Sequence, residues 1–532
     1  KSPAIAPFMP VVQYGRKSTA HSAAQPTTPW QFETQADSLQ FLHQSQQRVI
    51  ATRQSKIASL SFVVAPIPPW AVLAELGSAD TRHFYYDAPQ SPAPDGQSGN
   101  QSMVGIGTVI DCRVTGASRF SKAQAFIDFW QPHFCVADPI GRPTSAYPTT
   151  TRFLSGEAMP TPKGYFFCSA TFFAQPHQAA YFAPAYVFVP CIQVTTQAQA
   201  SLVTFNRLIT DTTNLETVVS GIYEQLHQVA GISSGAETWG QTGASLTAAL
   251  RYRLTKDVVG FEQTVRSVLT QMRSQAVHKV VISDVADVVM PSPVDVVRSL
   301  QVLRHNHPDC TVFSVGNGRG QSFIGASPER LLRISYCEES QGGRRELMTE
   351  ALAGTASRSH EPGLDIQLGQ SLMNSEKERY EHRVVVEFIL KQLRSLGLTP
   401  HYTAGPKLLR LLNLQHLHTP IRATLQDGSV QPLEILANLH PTPAVAGLPR
   451  QLACTLIREY ETFERGLYTA PIGWIDTDGN SEFIVGIRSA LINGCKARLY
   501  AGAGIVSGSE PKKELAEIRL KLQALLNALV CN

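Results

Sequence analysis

Cysteine is scarce, and what there is never takes a ligand-like spacing. The nine residues Cys112, Cys135, Cys168, Cys191, Cys310, Cys337, Cys454, Cys495 and Cys531 form no C-x-x-C pattern, and their number is odd. That argues against a disulfide frame or a zinc site and fits reduced thiols in a cytosol-like compartment. Long hydrophobic runs are missing too. The longest uncharged candidate, Ala58 to Ala74, is broken by Pro66, Pro68 and Pro69, so it reads as a strand entering a turn and not as a membrane span. Charge of one sign is thin. A net +4 over 532 residues is too dilute for a nucleic-acid partner, and Arg344 and Arg345 form only a local pair in an expected hairpin loop. No Asp or Glu precedes Glu33, where Ser, Ala, Thr and Pro dominate beside Lys1, Arg16 and Lys17. Residues 1–36 are therefore expected to be a disordered leader, with a trimmed transit peptide as the alternative. A dinucleotide fingerprint is also lacking, since "GNGRGQ" (316–321) reads as a hairpin turn.

What is present alternates between two periods. From Asp37, a candidate N-cap, to about Arg53 the pattern is helical. The β-rich runs "SLSFVV", "HFYYDAP", "MVGIGTVID", "GYFFCSATFF" and "AYVFVPCIQV" follow, punctuated by Gly and Pro, as an antiparallel sheet requires. "SPAPDGQSGNQS" (91–102) reads as a polar hairpin loop, and residues 213–277 as mostly helical. The second half keeps the strand-rich style and adds two strong helices, about 371–396 and 509–530. The balance is α+β, with large antiparallel sheets and helices packed outside.

Several strings carry chemistry. On a helix, Glu378 and Glu381 share one face, while Val384, Val385, Phe388 and Ile389 form an apolar one. Taken alone, that face could be no more than solvated charge. The last helix, opened by Ser509 as a cap and Pro511 in its first turn, puts Glu514, Glu517 and Lys521 together. Its buried stripe is Leu515, Ile518, Leu522, Leu525, Leu526 and Leu529. Four carboxylates from two helices would suit a hard cation such as Mg²⁺. In "FIGASPERLLRI" a strand breaks at Ser327-Pro328 and leaves Glu329 beside small residues, either a surface turn or a general acid. "TEALAGTASR" offers Gly354 and Thr355 as donors. His416 and His418, one residue apart on a strand, read as structural more readily than as metal ligands. Arg488, in an apolar strand, calls for an anionic partner. "LYAGAGIVSGS" (499–509) permits close backbone approach to a ligand. The stiff "HPTPAVAGLPR" (440–450) is either a closing turn or a wall against a small ligand.

Together these strings resemble the chorismate-utilising enzymes: the anthranilate, aminodeoxychorismate, isochorismate and salicylate synthases. "SPER", "LAGT", "KERYEHR", "LHTPI", "HPTPAVAG", "ERGLYTAPIGW", "IRSA" and "AGAGIVSGSEPKKELAEIRLK" stand in the family's order, from about His278 to the C-terminus. The resemblance implies two large antiparallel β-sheets packed face to face with helices outside. It divides the chain into a sheet-rich N-terminal subdomain, 37–260, and a chorismate-binding catalytic region, 261–532. It implies that Glu378, Glu381, Glu514 and Glu517 hold Mg²⁺ against the ring carboxylate of chorismate. Arg488 and Tyr468, with backbone amides from Gly502 through Ala503 to Gly504, would take the enolpyruvyl carboxylate, and Lys521 would help set the anionic pocket. Gly354, Thr355 and His418 would line the ring, and Ala444 and Val445 would form the cleft wall.

Aminodeoxychorismate synthases carry a nucleophilic Lys where this chain has Ala353. Anthranilate synthases carry Gln where it has Lys279, and a Lys there marks the water-adding members. The feedback-binding "LLES" is also missing. "HPTPAVAG" resembles the isochorismate synthase form, with salicylate synthase second. A non-catalytic relative would have lost the acid, the base or the metal ligands. The resemblance thus implies Lys279 as general base and Glu329 as general acid in a Mg²⁺-dependent conversion of chorismate to isochorismate. The product would feed menaquinone, phylloquinone or salicylate synthesis. It further implies a cytoplasmic or plastid-stroma monomer without a glutaminase subunit, a nucleic-acid partner or a membrane anchor.

Overall fold

The computed structural model describes residues 34–89, 101–136, 162–176, 180–197, 200–232, 252–275, 277–337, 344–412, 414–426 and 430–530. Most of the expected leader, most of the 91–102 loop and part of the 213–277 segment lie outside these residues.

Two antiparallel sheets dominate. The larger has 13 described strands. In spatial order it runs from Arg253–Lys256 through Lys279–Val289, Lys496–Ile505, Ser489–Asn493, Gln321–Ser327 and Thr311–Asn317. It continues through Arg82–Asp87, Ser102–Ile106, Ile192–Gln197, Ala200–Ile209 and Lys56–Val64 to Phe134–Val136, while Gly447–Leu448 pairs with Lys279–Val289. The smaller has 10 described strands. Its order is His401–Tyr402, Leu414–Leu425, Arg344–Ser357, Arg330–Cys337, Ser481–Val485, Pro471–Asp476, Tyr165–Ala170, Ala185–Val189 and Ile110–Val114, with Lys407–Arg410 beside Leu414–Leu425. Every described pairing is antiparallel except that of Lys56–Val64 with Phe134–Val136. Arg82–Asp87 pairs with Thr311–Asn317, and Tyr165–Ala170 with Pro471–Asp476, so each sheet runs unbroken from the first half of the chain into the second.

The central strands are apolar on both faces because both faces are covered. Ala185–Val189, Pro471–Asp476 and Ser481–Val485 are buried at every position. Phe84 of the larger sheet stacks on Phe167 of the smaller at 4.4 Å between ring centroids. Gly105 makes that approach possible, since a Cβ there would lie 2.2 Å from the Phe167 ring. The Tyr86 hydroxyl donates to Glu482 across the same interface at 2.6 Å.

The helices depart from the sequence pattern mainly at their ends. The first spans Gln35–Thr52, and Asp37 lies in its first turn instead of capping it, accepting a hydrogen bond from the Thr34 hydroxyl. The segment after Lys56–Val64 turns into a short helix, Pro69–Leu76, whose opening proline suits a first turn. The 371–396 pattern is two helices, Pro362–Asn374 and Glu376–Ser395, divided at Ser375, whose hydroxyl accepts from the Glu378 amide. The last helix, Pro511–Val530, buries the expected stripe except for Leu526, which is half-buried, and the Ser509 hydroxyl accepts from the Val506 amide and not from a helix amide. Between the helices Leu215–Ala230 and Phe261–Gln275 the short strand Arg253–Lys256 interrupts the expected helical segment. Arg344 and Arg345 open the strand Arg344–Ser357 and do not sit in a loop. No described helix is long and apolar enough to cross a membrane.

Candidate active site

A cavity of about 130 Å³ lies where the two sheets meet the Glu376–Ser395 and Pro511–Val530 helices. Val281, Ala501, Gly502 and Gly504 of the larger sheet and Leu352, Ala353, Gly354, Thr355 and His416 of the smaller line it. Glu329, Ala444, Val445, Tyr468 and Arg488 close it from the loops and turns, and Glu381, Glu517 and Lys521 from the helices.

Lys279 opens the strand Lys279–Val289 and is fully buried, which rules out a strand-edge lysine facing water. Its Nζ sits 2.6 Å from a Glu381 carboxylate oxygen, a close ion pair without good hydrogen-bond alignment. Glu329 occupies the expected strand break, between Gln321–Ser327 and Arg330–Cys337, and its amide donates to the Ser327 hydroxyl. Burial, then the neighbouring Glu350 charge, pushes its carboxyl up to about 8 against a smaller opposing effect of Lys279. A carboxyl that keeps its proton at neutral pH can donate it.

Arg488 is not in a strand. It sits at φ 48°, in the left-handed region, between Ser481–Val485 and Ser489–Asn493. Its guanidinium donates to the Cys310 sulfur at 3.6 Å and to His416 Nε2 at 3.1 Å. Among the described residues it meets no carboxylate, which leaves its charge for an incoming anion. His416, buried and with its pKa held well below the usual histidine value by desolvation and then by Arg488, is neutral. Accepting from Arg488 at Nε2 places the ring proton on Nδ1, which faces the Thr355 hydroxyl at 3.1 Å. The family resemblance had implied the ring-lining role for His418. Instead, His418 Nε2 bonds Glu350 at 2.8 Å, and His416 takes the cavity. The two share a strand face, and only the cross-strand register with Thr355 and Leu352 separates their roles.

The glycine strand behaves as its composition implies, with one correction. Val281 and Ser283 send their amides away from it, to Ala446 and Glu461. In an antiparallel ladder, their partners Gly504 and Gly502 therefore point their own N–H and C=O groups away from Lys279–Val289. Lys521 confirms the direction by donating to the Gly502 carbonyl at 3.0 Å. Ala503, paired with Ile282, has its amide in the ladder and its side chain buried in the core, so it is not a donor to the cavity. A Cβ on Gly502 would lie 2.6 Å from the Ser283 hydroxyl and 2.9 Å from that of Tyr468. Glycine is required there.

The proline-rich loop is both wall and turn. Ala444 and Val445 face the cavity, and Gly447, at φ 136°, pairs with Val280, where a Cβ would come 2.1 Å from the Lys279 carbonyl. The fully buried Arg465, which the sequence pattern did not single out, fixes this wall. It donates to the carbonyls of Val445 and Val281, to the Thr469 hydroxyl and to Glu461.

The four helix carboxylates converge but are held by lysines. Lys377 bridges Glu514 at 3.1 Å and Glu378 at 3.8 Å, Lys279 holds Glu381, and Lys521 holds Glu517 at 2.6 Å. Among the described residues no three acidic, histidine or cysteine side chains stand at one ligand point. The donor set still suits a hard divalent cation, being all oxygen and drawn from two facing helices. Burial and then the Glu381 charge push the Glu378 carboxyl up, against the nearby Lys377. Gly504 leaves the space, since a Cβ there would lie 2.5 Å from a Glu381 oxygen.

A buried carboxyl and a buried lysine thus lie beside a cavity that also takes in the Arg488 guanidinium and the glycine strand. The chain belongs to the chorismate-binding enzyme family, whose model matches residues 41–530 and so includes the N-terminal half that motifs alone did not reach. It is similar to the salicylate biosynthesis isochorismate synthase of Pseudomonas aeruginosa, 41% identical over 51% of this chain and 54% of that protein. Isochorismate synthase MenF of Bacillus subtilis is 33% identical over 66% of this chain and 70% of that protein. The match thus spans about half the length of the first relative and more of the second. The solved structure of the menaquinone-specific isochorismate synthase MenF from Escherichia coli shares the fold at a TM-score of 0.66 and 23% identity, over 92% of this chain and all of that one. Anthranilate synthase component I from Streptococcus pneumoniae shares it at 0.58 and 17%, over 82% of this chain and 94% of that one.

Proposed function

We propose that this protein is an isochorismate synthase, which adds water at C2 of chorismate and releases the C4 hydroxyl. The observation that carries the reading is the closeness of buried Lys279 to Glu329, whose burial favours its protonated form, with Glu329 lining the cavity and Lys279 paired to the lining residue Glu381. Arg488, Tyr468 and the amides of Gly502 and Gly504 bind the enolpyruvyl carboxylate. Lys279, after losing its ammonium proton to become a neutral amine, takes a proton from the attacking water, and Glu329 gives one to the departing hydroxyl while the ring double bonds shift. Glu378, Glu381, Glu514 and Glu517 would hold Mg²⁺, which when bound supplies positive charge to the ring carboxylate. Ala353 leaves no amine on the Gly-Thr segment to act as a nucleophile. We place the enzyme in a reducing compartment, cytoplasm or plastid stroma, supported by Cys112, Cys135, Cys168, Cys191, Cys310, Cys454 and Cys495 being free thiols. Its product would enter quinone or salicylate synthesis. Chromatography of the products from chorismate, with and without ammonium, tests the reading. Isochorismate in both supports it; an ammonium-dependent aminated product or salicylate plus pyruvate overturns it.

A further inference from the structure

Glu350 lies one strand away from Glu329, on Arg344–Ser357, and is fixed at both oxygens. Oε1 accepts the Arg330 amide at 2.8 Å and Oε2 accepts His418 Nε2 at 2.8 Å. The Arg330 amide is that of the residue after Glu329, so one carboxylate clamps the very turn that carries the acid. Glu350 is itself absent from the cavity lining. Two hydrogen bonds hold it beside the turn, where its charge acts on Glu329.

We propose that Glu350 is a positioning residue for the general acid, its fixed negative charge ensuring that the neighbouring carboxyl, Glu329, is the one that carries the proton. The proposal rests on the reading of Glu329 as the proton donor. Two carboxylates facing one another in a dry site do not both ionise, and hydrogen bonding decides which one does. Burial opposes the ionised form of Glu350, but the hydrogen bonds and charges of His418 and Arg330 outweigh it and lower its pKa, whereas Glu329 has burial and the Glu350 charge against its ionised form. The other charged or titratable groups around the pair are few. Lys279 faces Glu329 from the larger sheet. Arg330 adjoins Glu350 from its own strand and also reaches Glu482 at 3.6 Å. His418 lies beside His382 of the Glu376–Ser395 helix and His416 of its own strand. None of them replaces a fixed anion beside Glu329.

The test is the pH dependence of kcat/KM for wild type, Glu350→Gln and Glu350→Asp, with folding checked by thermal unfolding. Activity needs protonated Glu329, so it falls as pH rises through that group's pKa. Removing the Glu350 charge moves this alkaline limb down by about one pH unit or more, and Glu350→Asp, which keeps the charge, brings it back toward wild type. A uniform loss of rate with an unmoved limb in Glu350→Gln overturns the proposal. Infrared spectroscopy of the wild type supplies a second measurement should Glu350→Gln misfold. The protonated carboxyl band that Glu329→Gln removes is expected to titrate on the alkaline side of neutrality, and titration in the ordinary carboxylate range overturns the proposal as well. Full turnover in Glu329→Gln would instead sink the general-acid reading itself, so the two failures are distinguishable.

Discussion

Glu329 shows what a single residue's surroundings decide. A glutamate in a Ser-Pro turn is normally a solvated anion, but burial and the Glu350 charge lift this one to about 8. Glu329→Gln keeps the shape and removes the proton, so kcat should fall on the order of 10²–10⁴-fold with substrate affinity little changed. Steady-state kinetics checks this, and wild-type turnover would leave the turn as only a turn. The same group has a consequence for stability. Its folded pKa lies above the ordinary carboxylate value of 4.5, so its contribution is complete below about 4.5 and is lost as pH rises through about 8. Glu329→Gln should therefore match wild type in thermal midpoint near pH 5 and exceed it by a few degrees at pH 9. Equal midpoints at both pH values would contradict the raised pKa.

At the scale of elements, the strands were legible and the partition of roles within them was not. Alternating and continuous apolar runs marked most strands correctly, because burial between sheets and helices leaves few other residues admissible. Ser375 split one expected helix because its hydroxyl caps Glu378, a local bond that the apolar period does not reveal. His416 and His418 could not be told apart without the register against Thr355 and Leu352. Ala503 looked like its glycine neighbours until the ladder to Ile282 claimed its amide. Arg465 was invisible because its partners, the carbonyls of Val281 and Val445, come from distant segments. That guanidinium ties the Lys279–Val289 strand to the proline-rich loop, and Arg465→Met leaves Glu461 a buried, unpaired charge. Breaking such a pair costs about 3–5 kcal/mol. Denaturant unfolding should show that loss, with Arg465→Met/Glu461→Met recovering part of it. A single variant as stable as wild type would contradict the clamp.

At the scale of the molecule, the two sheets bring the acid and the base together beside one cavity, and the two helices add Glu381 and Glu517 to its lining. The helices matter through charge. With Lys377 joining Glu514 to Glu378, the pair is latched by an internal cation that a divalent ion would replace. EDTA should abolish activity and Mg²⁺ restore it, while Glu381→Gln and Glu514→Gln should fold yet stay inactive in Mg²⁺. Mg²⁺ binding by calorimetry, lost in both variants, provides a readout apart from turnover. Full activity in EDTA would remove the metal from the account.

The central claim is that buried Lys279 directs water, and not ammonia, onto the substrate. The most direct test compares wild type with Lys279→Gln, incubated with chorismate and Mg²⁺ in the presence and absence of ammonium, with products separated by chromatography. Substrate binding is followed independently by calorimetry, since Arg488 and the backbone amides remain in the variant. The account predicts isochorismate from the wild type under both conditions, and chorismate bound but unconverted by Lys279→Gln. Isochorismate formed by Lys279→Gln at the wild-type rate, or an aminated product from the wild type, would contradict it.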